Sequence, residues 1–192
     1  MTIMRDGIDP ETPWMRTTSG RHVSLLAPTP DMIDLDDIIG ALRRLVRFTG
    51  HGRRPWTVAA HSTVVARIVR VGGWDDDCQR AALLHDATEA YIGDLSRPLK
   101  QSLRLLTDDN GAGESPLDVI EGRLWRAIAE RFELPHDLPA CVTEADNVSL
   151  GIEADDLFGV GTREAWGLPR HDGPRLLLFE NMRGCADALG LS

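Results

Sequence analysis

The sequence predicts a single all-α domain preceded by a short irregular or hairpin N-terminal arm. Three observations support this prediction: apolar residues recur at helical spacing, capping residues precede these stretches, and strand-like residues are confined to 21–26. A chain of 192 residues is long enough to bury one substantial core. We place the arm at residues 1–35 and the helical domain at residues 36–192.

The first elements follow from local patterns. Residues 21–26 are followed by two prolines, so we expect at most a hairpin or an edge strand there. Asp36 or Asp37 is expected to cap the first helix. Thr57 is expected to begin a second helix, which ends at Gly72.

The later helices are bounded by acidic, proline and serine residues. The acids at 75–77 suit the first turn of a third helix, because the helix dipole favours negative charge there, and we expect this helix to end near Tyr91. Ser115 and Pro116 form an N-cap and first-turn pair. Further helices are predicted over residues 98–106, 115–132, 139–157 and 174–189, with a polar loop over 107–113.

Composition excludes several classes of protein. The chain has 21 Lys and Arg against 30 Asp and Glu, a net charge of −9, which argues against a nucleic-acid polymer as partner. No apolar run approaches the ~20 residues of a membrane span, and the N-terminus has no secretory signal pattern. Three widely spaced cysteines favour neither a disulfide framework nor a thiolate zinc site. We expect a cytoplasmic protein that forms a homo-oligomer, a dimer or higher.

Four polar side chains fall where the helical pattern predicts buried faces. His61 shares a face with apolar residues of the second helix. His85 and Asp86 follow the apolar run 81–84. Asp146 has apolar residues four positions away on both sides. Each alone has an ordinary explanation, a hydrogen-bonded core histidine or an aspartate paired with arginine, but three helices of a bundle can bring all four to one point.

Imidazole and carboxylate ligands together suit one divalent ion such as Mn²⁺, Co²⁺, Zn²⁺ or Fe²⁺. A buried carboxylate also needs a cation or a shifted pKa. Glu89 is four residues after His85 and three after Asp86, so on a continuous helix it lies on the same face. From there it can accept a proton from an attacking water or orient that water.

The residues around these ligands resemble a known family. Residues 85–100 are similar over their whole length to a segment of the bacterial HD-domain 5′-deoxynucleotidases, which are all-α metal-dependent phosphohydrolases. Arg47 and Phe48 resemble the Arg-aromatic pair that precedes the first histidine of those enzymes, and Asp146 fits their last motif. The likeness covers residues 38–152, and phage-type deoxyadenosine triphosphate triphosphohydrolases share the same layout.

The resemblance implies a role for each matched residue. The metal ligands are His61, His85, Asp86 and Asp146, and the catalytic residues are Asp86, Glu89 and Arg47. The expected substrate contacts are Arg47 to phosphate, Phe48 to the base, Asp94 to the sugar 3′-hydroxyl, and Pro98 and Lys100 beside them. Ordinary structural roles stay open for these contacts: Phe48 as a core residue, Asp94 as a turn residue and Lys100 as a solvated lysine.

The implied activity is hydrolysis of 2′-deoxyribonucleoside 5′-monophosphates to a deoxynucleoside and phosphate. A deoxynucleoside triphosphate triphosphohydrolase that releases tripolyphosphate is the first alternative. A non-catalytic, metal-stabilised nucleotide-binding protein is the second. In each case the partner is a small-molecule deoxynucleotide.

Overall fold

The computed structural model describes residues 12–107, 113–168 and 181–191, and it confirms a mostly helical chain with an N-terminal arm. In the arm, β1 (Trp14–Arg16) pairs antiparallel with β2 (His22–Ser24). The expected hairpin is therefore confirmed. Val23 at its centre is fully buried, so the hairpin packs on the helical core.

The helices follow in chain order. They are α1 (Leu35–Leu42), α2 (Val58–Val71), α3 (Asp76–Leu84), α4 (Glu89–Ile92), α5 (Arg97–Thr107), α6 (Pro116–Arg131), α7 (Ala140–Phe158), α8 (Thr162–Ala165) and α9 (Met182–Ala188). The predicted bounds of α2, α5, α6 and α7 are confirmed to within a residue or two, whereas α8 was not predicted. Residues 108–112 of the predicted loop and 174–180 of the predicted last helix lie outside the described residues. The predicted continuous helix over 174–189 is wrong, because Asn181 is extended and its side chain caps α9, which begins at Met182.

Side-chain caps account for the helix starts that the sequence predicts. The Thr57 hydroxyl accepts a hydrogen bond from the Ala60 N–H at the start of α2. At α6, the Ser115 hydroxyl accepts from the Asp118 N–H and the Asp118 carboxylate accepts from the Ser115 N–H. This reciprocal capping box satisfies two backbone donors that the helix itself cannot.

Another local prediction that is wrong concerns the start of α1. The cap of α1 is Asp34 rather than Asp36 or Asp37, because its carboxylate accepts from the backbone N–H groups of both those residues. The helix begins at Leu35, which is buried, one residue before the two acids that were expected to cap it.

A further wrong prediction is a third helix that continues to Tyr91. Instead α3 ends at Leu84, and a tight turn over residues 85–88 precedes α4. Within this turn the Ala87 N–H donates to the Leu84 carbonyl and the Glu89 N–H to the Asp86 carbonyl. Bonds of this i to i−3 type wind the chain more tightly than an α-helix does.

The core surrounds α2, which packs against both α3 and α7. One face of α2 is fully buried through Val58, His61 and Val65. The end of α3 and the middle of α7 therefore approach the same face of α2 from two sides, which positions the site described below. Of the helices within the described ranges, none has the length and apolar content needed to span a bilayer.

We expect Ser115→Ala to lower the free energy of unfolding by about 1 kcal/mol, because it removes the N-cap of α6. Ser102→Ala is the matched control: that exposed hydroxyl only donates to the Pro98 carbonyl within α5, and its loss should stay within about 0.5 kcal/mol. Urea unfolding of both variants measures the difference. Equal stability of the two variants would contradict a role for this capping box.

Candidate metal centre

Three of the four predicted metal ligands form one group, and the fourth, Asp146, contacts this group through His61. His61 Nε2 lies 3.2 Å from His85 Nε2, 3.5 Å from Asp86 Oδ2 and 3.1 Å from Asp146 Oδ1. His85 Nε2 lies 3.3 Å from Asp86 Oδ2. Ligand atoms of His61, His85 and Asp86 all lie within 4.8 Å of one another, a group that can bind a metal ion, and Asp146 adjoins it through His61.

Three parts of the fold supply these side chains. His61 comes from the first turns of α2 and is fully buried. His85 and Asp86 come from the turn that ends α3, where the His85 Nδ1–H donates to the Ala82 carbonyl at 2.8 Å and so directs Nε2 to the cluster. Asp146 comes from α7. Two helices and the turn at the end of a third therefore supply the cluster.

The electrostatics of the cluster favour a cation. Burial raises the pKa of Asp86 and of Asp146, but neighbouring histidines lower each overall, so both are ionised. Burial and Arg47 lower the pKa of His61, yet Glu153 and Asp146 raise it overall to about 9. The carboxylates thus draw positive charge to His61 Nε2, and nitrogen and oxygen donors without thiolate fit a divalent ion of borderline or hard character.

Arg47 is buried beside the cluster rather than extended into solvent. Its Nη1 lies 3.3 Å from Asp86 Oδ2 and its Nε lies 3.3 Å from Glu153 Oε2. Burial lowers the pKa of Arg47, but these carboxylates raise it overall, so the charge is permanent. The backbone turns sharply just after it, with Phe48 at φ 57° and Thr49 at φ 54°, a region rarely used by bulky residues.

Glu89 and Asp94 flank the cluster on the side of α4. The break after α3 means that Glu89 is not on a continuation of that helix, as the sequence suggested, but opens α4. Glu89 is buried, and within the described part of the chain its Oε2 has no hydrogen-bond partner. Burial, Asp86 and Asp94 raise the pKa of Glu89 to about 9. Burial also raises the pKa of Asp94, which follows Gly93.

The other predicted substrate contacts lie farther out. Lys100 Nζ lies 2.8 Å from Glu121 Oε1 of α6, and this bond raises the pKa of Lys100 although burial opposes it. The Phe48 ring packs edge-on against Phe158, with ring centroids 5.3 Å apart. Pro98 is exposed on the first turn of α5. Of these residues, Phe48 adjoins the cluster through Arg47, whose guanidinium carbon lies 5.4 Å from the centre of the Phe48 ring.

Sequence reasoning missed a buried carboxylate behind the cluster. Glu153 of α7 is 3% exposed, and its Oε1 accepts from His61 Nδ1 at 2.7 Å, from Trp56 Nε1 at 2.9 Å and from the Ser149 hydroxyl at 3.1 Å. Burial raises the pKa of Glu153, but His61 and Arg47 lower it overall to about 2. Ser149 and Glu153 follow Asp146 at steps of three and four, a helical spacing that could have revealed them.

Comparison with known proteins gives two relatives. The chain is 36% identical over 160 residues to an uncharacterized protein of Rhodobacter capsulatus, covering 79% of this chain and 76% of that one. It is 33% identical over 144 residues to the uncharacterized protein YfdR of Escherichia coli K12, covering 75% and 72% of the two chains. The chain belongs to the protein family of these two relatives. No family model matches it.

We expect Asp86→Asn to weaken Mn²⁺ binding by more than about 100-fold, because it replaces a charged ligand, a larger loss than that of an outer partner. Asp77→Asn is the control, since Asp77 is exposed and only approaches Arg80 within α3. Isothermal titration calorimetry measures both. Equal Mn²⁺ affinities for the two variants would exclude Asp86 as a ligand.

Proposed function

We propose that the protein is an HD-domain phosphohydrolase that hydrolyses 2′-deoxyribonucleoside 5′-monophosphates to a deoxynucleoside and phosphate. The observation that carries the proposal is the meeting of His61, His85, Asp86 and Asp146 beside a buried Glu89 whose Oε2 is unpaired. The similarity of residues 85–100 to the deoxynucleotidase segment supports it.

The four ligands would hold one divalent ion, Mn²⁺, Co²⁺, Zn²⁺ or Fe²⁺. An ion bound by such groups polarises a phosphoryl oxygen and lowers the pKa of water. The donor set fits this role because it contains two imidazoles and two ionised carboxylates and no thiolate.

Glu89 is proposed to accept the proton of the attacking water. A general base must be close to the reacting groups and must have a pKa that permits proton exchange near neutrality. Glu89 meets the first condition because Asp86 is near enough to raise its pKa. Its unpaired Oε2 is free to accept a hydrogen bond. A cation bound at the four ligands would add to the lowering effect of Arg47 and Lys100 and so bring the pKa of Glu89 towards neutrality.

Arg47, Asp94 and Lys100 are proposed to position the nucleotide. A guanidinium has five N–H donors, and the carboxylates of Asp86 and Glu153 approach only two of the three nitrogens of Arg47, so donors remain for phosphate oxygens. Asp94 would accept from the sugar 3′-hydroxyl, which places the 2′-carbon against protein. A ribose 2′-hydroxyl would then be buried without a partner.

Two alternatives predict different products. In the first, a triphosphohydrolase, Arg47 and Lys100, both close enough to lower the pKa of Glu89, would contact a triphosphate in place of a single phosphate. That enzyme would release tripolyphosphate. A non-catalytic nucleotide-binding protein would use the same ligands, but the buried Oε2 of Glu89, which has no hydrogen-bond partner among the described residues, argues against it.

The experiment is a panel of dAMP, AMP, dATP and ATP with the full chain, after EDTA dialysis and after return of Mn²⁺ or Co²⁺. We expect orthophosphate from dAMP only when metal is present, and a rate constant for AMP lower by about 10 to 100-fold. Tripolyphosphate from dATP would establish the first alternative, and no product from any nucleotide would establish the second. Full activity without metal would refute the proposal.

We expect Glu89→Gln to lose turnover by about 10²–10⁴-fold, because the amide cannot accept a proton. Mn²⁺ affinity and the unfolding temperature should stay close to those of the wild type. Glu130→Gln, on the exposed face of α6, is the control and should keep full turnover. Steady-state kinetics with calorimetry separate these effects. A Glu89→Gln enzyme within threefold of wild type would show that Glu89 transfers no proton.

A further inference from the structure

We propose that Glu153 is the positioning residue of the metal centre: it holds both His61 and Arg47, and through them it sets how strongly the centre binds a cation. This inference rests on the metal site of the proposed function, and it does not depend on which nucleotide is hydrolysed. It concerns a residue that touches neither the ion nor the substrate.

The contact with His61 fixes the state of the imidazole. His61 is fully buried and Glu153 is 3% exposed, so water does not compete for the 2.7 Å bond between Nδ1 and Oε1. With the Nδ1–H donated to Glu153, the ring presents Nε2 to His85, Asp86 and Asp146. A carboxylate partner at one ring nitrogen orients the ring and increases the basicity of the other nitrogen.

Glu153 is itself held rigidly. Its Oε1 accepts hydrogen bonds from Trp56 Nε1 and the Ser149 hydroxyl in addition to His61, and these donors come from different directions. Trp56 immediately precedes the Thr57 cap of α2, whereas Ser149 lies one turn before Glu153 on α7. The carboxylate therefore cannot rotate without breaking several hydrogen bonds, and its rigidity fixes the orientation of the His61 ring.

The second contact balances charge. The other oxygen of Glu153 lies 3.3 Å from Arg47 Nε, and the same guanidinium lies 3.3 Å from Asp86 Oδ2. An arginine in contact with a metal ligand repels an incoming cation at short range. The negative charge of Glu153 compensates that repulsion, which is why a buried arginine is compatible with a cation site here.

The test compares Glu153→Gln, which keeps the size of the side chain but removes its charge, with Asp156→Asn on the same helix. Asp156 pairs with Arg54 and is partly exposed. Calorimetric titration of the full-length chain with Mn²⁺ should show binding weakened about 10 to 100-fold in Glu153→Gln and unchanged within threefold in Asp156→Asn. The absorption spectrum of bound Co²⁺ should change in the first variant alone, because the orientation of His61 changes.

A milder variant provides a second test if Glu153→Gln does not fold. Ser149→Ala removes one donor to Glu153 and leaves every charge in place, so Mn²⁺ binding should weaken by about fivefold, the typical net effect of one hydrogen bond. Thermal unfolding in EDTA reports structural damage separately. Lower stability with unchanged Mn²⁺ affinity and Co²⁺ spectrum in both folded variants would overturn the inference and show a purely structural carboxylate.

Metal binding and nucleotide hydrolysis by the wild-type protein distinguish failure of this inference from failure of the proposed function. If wild type binds no Mn²⁺ and no Co²⁺, the metal centre and the inference both fail. If wild type binds metal and Glu153→Gln binds it equally well, the inference alone fails. If the variants weaken binding as expected while no nucleotide is hydrolysed, the inference holds and the proposed hydrolysis fails.

Discussion

The hydrogen bond between His61 and Glu153 is the interaction on which the site depends. Both side chains are removed from water, and a buried carboxylate is strongly destabilising unless it is paired and hydrogen-bonded. The chain meets that requirement with hydrogen bonds from separate segments, including one from Trp56 before α2, and with an ion pair to Arg47 after α1. The need to satisfy one buried charge thus brings together α2, α7 and the segment between α1 and α2.

The carboxyl groups in and around the cluster differ in the direction of their pKa shifts. Asp86, Asp146 and Glu153 lie against histidine or arginine, which lowers the pKa of each overall. Glu89 is buried and Asp94 is partly buried, and this burial together with nearby acids raises the pKa of each. Environment alone therefore separates groups suited to hold positive charge from a group suited to exchange a proton.

Local chemistry made much of the fold predictable, and long-range pairing accounts for the rest. Thr57 and Ser115 act within one helical turn, so the sequence alone identified them as caps. No glycine or proline in the sequence marks the break after Leu84. At this break the His85 Nδ1–H donates a hydrogen bond to the Ala82 carbonyl. Glu153 was missed because a glutamate in a long helix is most often solvated, and its burial depends on partners distant in sequence.

The placement of Asp146, Ser149 and Glu153 on one face of α7 limits how this family can diverge. Each residue of an α-helix advances about 100° around the axis. Insertion or deletion of one residue between Asp146 and Glu153 would turn one of them away from His61, and no local substitution could restore both. A change in the length of this stretch of α7 is therefore incompatible with the centre. Substitutions on the opposite face of the helix leave the centre intact.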